Sequence, residues 1–270
     1  MLVSIVTTCY QAEKCIEKTI RSVLSQTFDN FEYIIMDGGS TDKTMQLVSS
    51  YASAFSKRSI PFYYYTQKDH GIYDGMNHGV SHCTGTFINF MNADDLFYSD
   101  STLSKLFSNR DLSDTDILYG DALEFEYGRY YYFPKDLNRI ECAMPFSHQS
   151  VFARRSLLLR FPFHAEYSIG SDYNFLLDVF QSKGRFTDSH MPVCIVSRDG
   201  ISSVDLYHTF VETVKIQEAH GIHRFTDTQY KHKLQTYKFK QFVMDHFPPF
   251  LLQSIRRFQR KTRGQDQEAR

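Results

Sequence analysis

The chain has 270 residues, of which 42% are hydrophobic and 23% charged, with a formal net charge of -1. It is long enough to bury a substantial core as one large domain or two small ones, and so even a charge balance excludes an obvious nucleic-acid binder. Its five cysteines, Cys9, Cys15, Cys83, Cys142 and Cys194, show no CxxC spacing and suit a reduced, cytoplasmic chain.

In chain order, "MLVSIVTTCY" lacks a basic leader and reads as a first strand. From Lys14 to Gln26, Ile16, Ile20, Val23 and Leu24 recur at helical spacing. "FEYIIMD" is a second strand, and "GGSTD" then offers Ser40 or Thr41 as N-cap for a helix carrying Met45 and Val48. "PFYYYTQ" is a third strand, Ile72 to about His82 a helix, and "TFINFM" a fourth strand. Strands and helices alternating at this spacing predict a parallel sheet covered on both faces. After Asp95 the rhythm changes. "DILYGD" reads as a strand, "ALEFEYGRYYYF" as a hairpin turning at Gly128, and "HQSVFARR" as a strand leading into a helix. "SDYNFLLDVFQSKG" is a helix with Ser171 as N-cap and Gly184 just past its end. Beyond Ser203 the chain becomes helical and polar and ends in a basic tail. No run approaches the ~18 apolar residues of a membrane-spanning helix.

Ligands of an open parallel sheet bind beyond the carboxyl ends of its strands, where the crossover loops gather. Those ends carry Thr7, Thr8 and Tyr10; Asp37, Gly38 and Gly39; Lys68 and Asp69; and Asn92, Asp94 and Asp95. Helix capping explains one such aspartate, but three acidic ends on one rim point to a cation. Mg²⁺ and Mn²⁺ prefer oxygen ligands and commonly combine one or two carboxylates with substrate phosphates. Asp94 and Asp95, whose charges repel when adjacent, suit that arrangement.

"VSIVTTCYQAEKCIEKTIRSVLSQTFDNFEYIIMDGGSTDKT" and "KDHGIYDGMNHGVSHCTGTFINFMNADD" resemble the nucleotide-binding half of family 2 glycosyltransferases, which have the GT-A fold. "PFSHQSVFARR" and "YSIGSDYNFLLDVF" resemble the bacterial members that build exopolysaccharide, colanic-acid or O-antigen repeats. The resemblance implies an α/β GT-A domain over residues 1–204, with a nucleotide-sugar half (1–98), an acceptor half (99–204) and a helical, basic extension (205–270). It implies a metal-dependent inverting transfer from a nucleotide-diphospho-sugar, a UDP-sugar foremost, to a glycan or lipid-linked acceptor. Thr8, Tyr10, Asp37 and Asp69 would line the donor pocket. Asp94 and Asp95 would occupy the metal site with Mn²⁺ or Mg²⁺, Asp94 also meeting the donor. Asn92 stands where a strict DxD motif has its first acid. Asp172 matches the general base, and at a helix start the helix dipole keeps it ionised; a purely helix-stabilising role is the plainer alternative.

His148 could meet diphosphate, metal or acceptor, or serve only as a hydrogen-bonding residue. Arg154 and Arg155 could approach phosphate, and Asp74 and Asn77 are weaker site candidates. Phe247 to Phe258, with interleaved basic residues, could lie on the inner face of an anionic membrane. A nucleotidyltransferase would want a glycine-rich first loop, and "TTCYQAEK" has no glycine. A non-catalytic sugar-nucleotide-binding protein would have no use for the acids at Asp94, Asp95 and Asp172.

Overall fold

A computed structural model describes residues 2–126, 129–133, 135–197 and 204–246. Strands β1 (Val3–Cys9), β2 (Phe31–Asp37), β3 (Phe62–Thr66) and β4 (Phe87–Phe90) form the parallel half of one sheet, in the order β3-β2-β1-β4. The second half is mixed. β8 (Val151–Arg154) runs antiparallel to β4 and to β6 (Ile117–Glu126), and β9 (Phe186–Val196) runs parallel to β6. The two-residue β5 (Leu96–Phe97) and β7 (Arg129–Tyr132) add antiparallel edges. The turn expected at Gly128 and the tail from 247 onward lie outside the described residues.

The strand sequences explain why this sheet is covered on both sides. Every residue of β1 and β2 is buried, and period-two alternation sends them to opposite cores. Val3, Ile5, Phe31, Tyr33 and Ile35 enter one cluster with Ile16, Ile20 and Val23 of α1 (Ile16–Leu24). α2 (Thr44–Ser50), α3 (Ala52–Lys57) and α5 (Thr102–Phe107) add Val48, Phe55 and Leu106 to that face. Val6, Ile34 and Met36 enter the other cluster, with Met76 of α4 (Ile72–His82), Leu158 of α6 (Arg155–Arg160) and Leu177 of α7 (Ser171–Gln181). Two more helices, α8 (Leu206–Ala219) and α9 (Asp227–His246), complete the described chain. Ile216 of α8 reaches the second core, whereas α9 buries no residue.

Helix starts differ from the sequence expectation where a hydroxyl has another partner. The Ser40 and Thr41 hydroxyl oxygens accept from the Gln11 amide N–H and side chain at 2.8 and 2.9 Å. Asp42 therefore binds the Thr44 N–H at 3.0 Å where α2 begins. Ser171 is the first residue of α7 rather than its cap, and its Oγ accepts from the His164 N–H at 2.6 Å.

Candidate active site

The carboxyl ends of β1, β2 and β4 share one rim. Thr7 is buried and turned inward, its hydroxyl donating to the Met91 carbonyl at 2.6 Å. Thr8 points the other way and donates to Asn92 Oδ1 at 2.8 Å. Tyr10, 65% exposed, stands free at the edge of the rim.

Asp37 is buried, and its carboxylate accepts from the Gly39 and Ser40 amides at 3.3 and 3.1 Å. In this arrangement it organises the loop after β2. Asp69 accepts from the Gly71 N–H at 3.1 Å. Its Oδ2 stands where a Cβ on Gly38 or Gly75 would come within 2.9 or 3.0 Å. Those two glycines make room for the carboxylate above them.

The adjacent acids after β4 take opposite partners. Asp94 has a φ of 89°, in the left-handed region that non-glycine residues seldom occupy. Its carboxylate pairs with the Lys18 ammonium of α1. Burial alone would raise the Asp94 carboxyl, but Lys18 and Ser197 outweigh it and hold the group below the usual carboxylate range. Asp95 turns into the protein, accepting from Gln149 Nε2 at 2.8 Å and the Ser197 N–H at 3.0 Å. Burial pushes its pKa up to about 6. Two carboxylates can therefore end one strand because one faces a cation at the rim and the other faces donors inside.

Across this end of the sheet, Asp172 is the second residue of α7. Its Oδ1 accepts from the Tyr173 N–H at 2.8 Å and lies 3.0 Å from the Tyr73 hydroxyl, which also donates to the Ile169 carbonyl at 2.5 Å. Its Oδ2 meets His148 Nδ1 at 3.0 Å. The far nitrogen of the same ring, Nε2, lies 3.0 Å from Asn92 Nδ2. Burial disfavours a charged His148, yet the hydrogen bond and charge of Asp172 outweigh that and raise its proton affinity. Thr8, Asn92, His148, Asp172 and Tyr73 thus form one continuous line from β1 to α7. A small apolar cavity lies beneath it, with Met76, Phe90, Phe163 and Phe175 in its wall.

Other sequence candidates fall elsewhere. The Arg154 guanidinium donates to the carbonyls of Leu112, Ser113 and Thr115 at 2.7, 2.7 and 2.5 Å. Arg154 lies opposite Phe87, at the start of β4 and so at the far end of that strand from Asn92. The Arg155 N–H holds the Thr86 carbonyl at the same end. Asp74 faces His70 and His78 at 3.3 and 3.7 Å, and Asn77 ties down the Phe163 backbone. Three site neighbours escaped the sequence reading: Lys18, Tyr73 and Gln149. Each sits within a motif already noted, but no spacing rule marks a helical lysine or a core tyrosine as the partner of a distant acid.

A divalent cation fits this rim only in part through protein ligands. Among the described residues, no group of three or more His, Cys, Asp or Glu is placed to hold a metal ion. Asp94 has the chemistry for it: a rim carboxylate already matched to a cation, of the kind that binds such ions together with substrate phosphates.

Residues 4–170 match the family model described as Glycosyl transferase family 2. A PGL/p-HBAD biosynthesis glycosyltransferase of Mycobacterium bovis is 30% identical over 210 residues, 74% of this chain and 79% of that one. The fold resembles S. aureus TarS 1-349 in complex with UDP-GlcNAc, with a TM-score of 0.66 and 18% identity over 89% of this chain and 73% of that one. It also resembles the mannosyltransferase PcManGT from Pyrobaculum calidifontis, in complex with GDP-Man and Mn2+. There the TM-score is 0.63 and the identity 16%, over 92% of this chain and 71% of that one. The mixed sheet with helices on both faces is the GT-A architecture.

Proposed function

The chain belongs to glycosyltransferase family 2, and on that premise we propose an inverting transfer of a sugar from a nucleoside-diphosphate donor. The acceptor is a hydroxyl of a glycan or lipid-linked saccharide in surface polysaccharide or glycolipid synthesis. The observation that carries this reading is the hydrogen-bonded line from Asn92 through His148 to Asp172. It joins the acidic end of β4 to the carboxylate in the first turn of α7.

The division of labour follows from which atoms remain open. Asp172 Oδ1 lies against both the Tyr173 N–H and the Tyr73 hydroxyl, whose one proton it shares with the Ile169 carbonyl, whereas Oδ2 meets His148. A carboxylate oxygen has two lone-pair sites, so Oδ2 is the atom to take the proton of the acceptor hydroxyl. As the acceptor oxygen attacks the anomeric carbon, the bond to the nucleoside diphosphate breaks on the opposite face. Mn²⁺ or Mg²⁺ bound at Asp94 would supply Lewis-acid stabilisation of the departing diphosphate. Asp69 and Tyr10 stand on the donor side of the rim, with Asp37 shaping the loop between them. Asp95, bonded to Gln149 and Ser197, holds the acidic turn in place.

UDP-sugars head the list of donors to test, since the fold relatives above carry UDP-GlcNAc and GDP-Man. No described helix is long and apolar enough to cross a membrane. α9 instead offers Phe239 and Phe242, which are 67% and 51% exposed, with Lys231 on the same side of the helix. Such a face suits an anionic lipid surface, where a lipid-linked acceptor would lie; co-sedimentation with anionic vesicles tests that contact.

Calorimetric titration of UDP, GDP and dTDP, with Mn²⁺ and then EDTA, tests the donor site. Binding of one nucleotide that needs metal and is lost in Asp94→Asn is expected. Binding indifferent to both would remove the acids from the mechanism, and a product retaining the donor's anomeric configuration would exclude inversion.

A further inference from the structure

We propose that Asn92 and His148 are positioning residues for the carboxylate of Asp172, with Asn92 selecting the ring tautomer that points a proton at Asp172. The inference rests on Asp172 acting as the base, and it assigns a role to the residue that replaces the first acid of the DxD pattern.

The Thr8 hydroxyl donates to Asn92 Oδ1 at 2.8 Å. In the orientation the amide takes here, its NH₂ faces His148 Nε2 at 3.0 Å. An NH₂ group can only donate, so in this orientation Nε2 is the bare, accepting nitrogen of a neutral imidazole. The ring's single proton then sits on Nδ1, 3.0 Å from Asp172 Oδ2. Free histidine favours the opposite tautomer, and a partner on one nitrogen commonly decides which nitrogen keeps the proton.

An aspartate at position 92 would reverse this logic. Its carboxylate would demand a proton on Nε2. The ring would then either present a bare Nδ1 to the Asp172 carboxylate or become a cation paired with it. The first option repels the base and lets it swing; the second lowers its basicity through a full ion pair. A neutral N–H donor orients Asp172 without setting a full positive charge beside it. Asn92 and His148 touch neither the acceptor nor the anomeric carbon on this reading and act only through Asp172.

The test is long-range ¹H–¹⁵N NMR of the imidazole nitrogens in the full chain at mildly alkaline pH, alongside turnover. Wild type is expected to show a protonated Nδ1 and a bare Nε2. Asn92→Asp, which keeps the shape and the Thr8 contact, should show the other tautomer or an imidazolium. Its kcat should fall about 10–100-fold, the usual cost of losing an outer-shell partner, with donor KM changed far less. His148→Asn, which keeps a donor near the Nδ1 position, should recover part of the activity lost in His148→Ala. A wild-type ring protonated on Nε2 or on both nitrogens would overturn the inference, as would an Asn92→Asp enzyme with unchanged kcat. Failure of the underlying reading looks different: the Nδ1 proton would be present, yet Asp172→Asn would turn over normally.

Discussion

Replacing Lys18 by methionine should tighten the binding of Mn²⁺ together with nucleoside diphosphate. In the folded chain the Lys18 ammonium rests on Asp94, so a metal ion must displace it to use that carboxylate. Two unit charges in contact near a protein surface attract by ~4 kcal/mol at an effective dielectric of ~20. Here the side chains are 50% and 28% exposed, and screening plus lost side-chain freedom reduce such pairs to ~1 kcal/mol or less. Removing the competitor should thus strengthen metal binding up to ~5-fold, since 1.4 kcal/mol is about tenfold. Methionine keeps most of the aliphatic length, so the packing of α1 is preserved. The assay is electron paramagnetic resonance of free Mn²⁺ during titration at low salt, repeated at high salt, where the difference should narrow. Weaker binding in Lys18→Met would refute the reasoning, because Lys18 would then be a ligand of the diphosphate instead of a rival for Asp94.

Asp172→Asn should lower kcat by about 10²–10⁴-fold, the range of a lost general base, while calorimetry shows donor affinity close to wild type. Arg154→Met should destabilise the fold by about 2–4 kcal/mol in urea titrations, through three carbonyls losing a charged donor, with nucleotide binding intact; weakened nucleotide binding in a stable variant would restore Arg154 to the phosphate site. Gly75→Ala should weaken nucleotide binding more than it weakens the fold, because a Cβ there comes within 3.0 Å of Asp69 Oδ2 and displaces that carboxylate. Thiol alkylation of the native protein should spare Cys9, Cys83 and Cys194: all three are buried, burial raises each thiol, that of Cys83 to about 12, and the thiol form is a poor nucleophile.

The parallel half of the fold was legible because its signals are local. β1 and β2 are apolar on both faces, and α1 and α4 show helical periodicity, so four strands and their helices could be placed within a residue or two. β9 was not. Its sequence, "FTDSHMPVCIV", mixes polar residues with Pro192, which normally argues against a strand. The structure accommodates it through a register shift against β6 between Tyr119 and Ala122, and bulges of that kind depend on the partner strand. β5 is only two residues long and exists because β9 pairs with it.

The candidate site divides along the same line. Strand-end acids, the Asn92-Ala93-Asp94-Asp95 turn and the helix start at Asp172 were readable from residue type and position, since loops after parallel strands share one rim whatever the details. Which carboxylate faces the rim and which faces the interior was decided only by folding: Lys18 and Gln149, far from the turn in sequence, capture Asp94 and Asp95 in opposite directions. The pairing of His148 with Asp172, and of Asn92 with His148, likewise joins residues 24 and 56 positions apart. Sequence patterning determined the sheet, its covering helices and the chemical inventory of the rim, because those follow from local periodicity and strand ends. Tertiary packing alone decided which of those groups touch, because contacts between distant segments depend on how the two halves of the sheet are brought together.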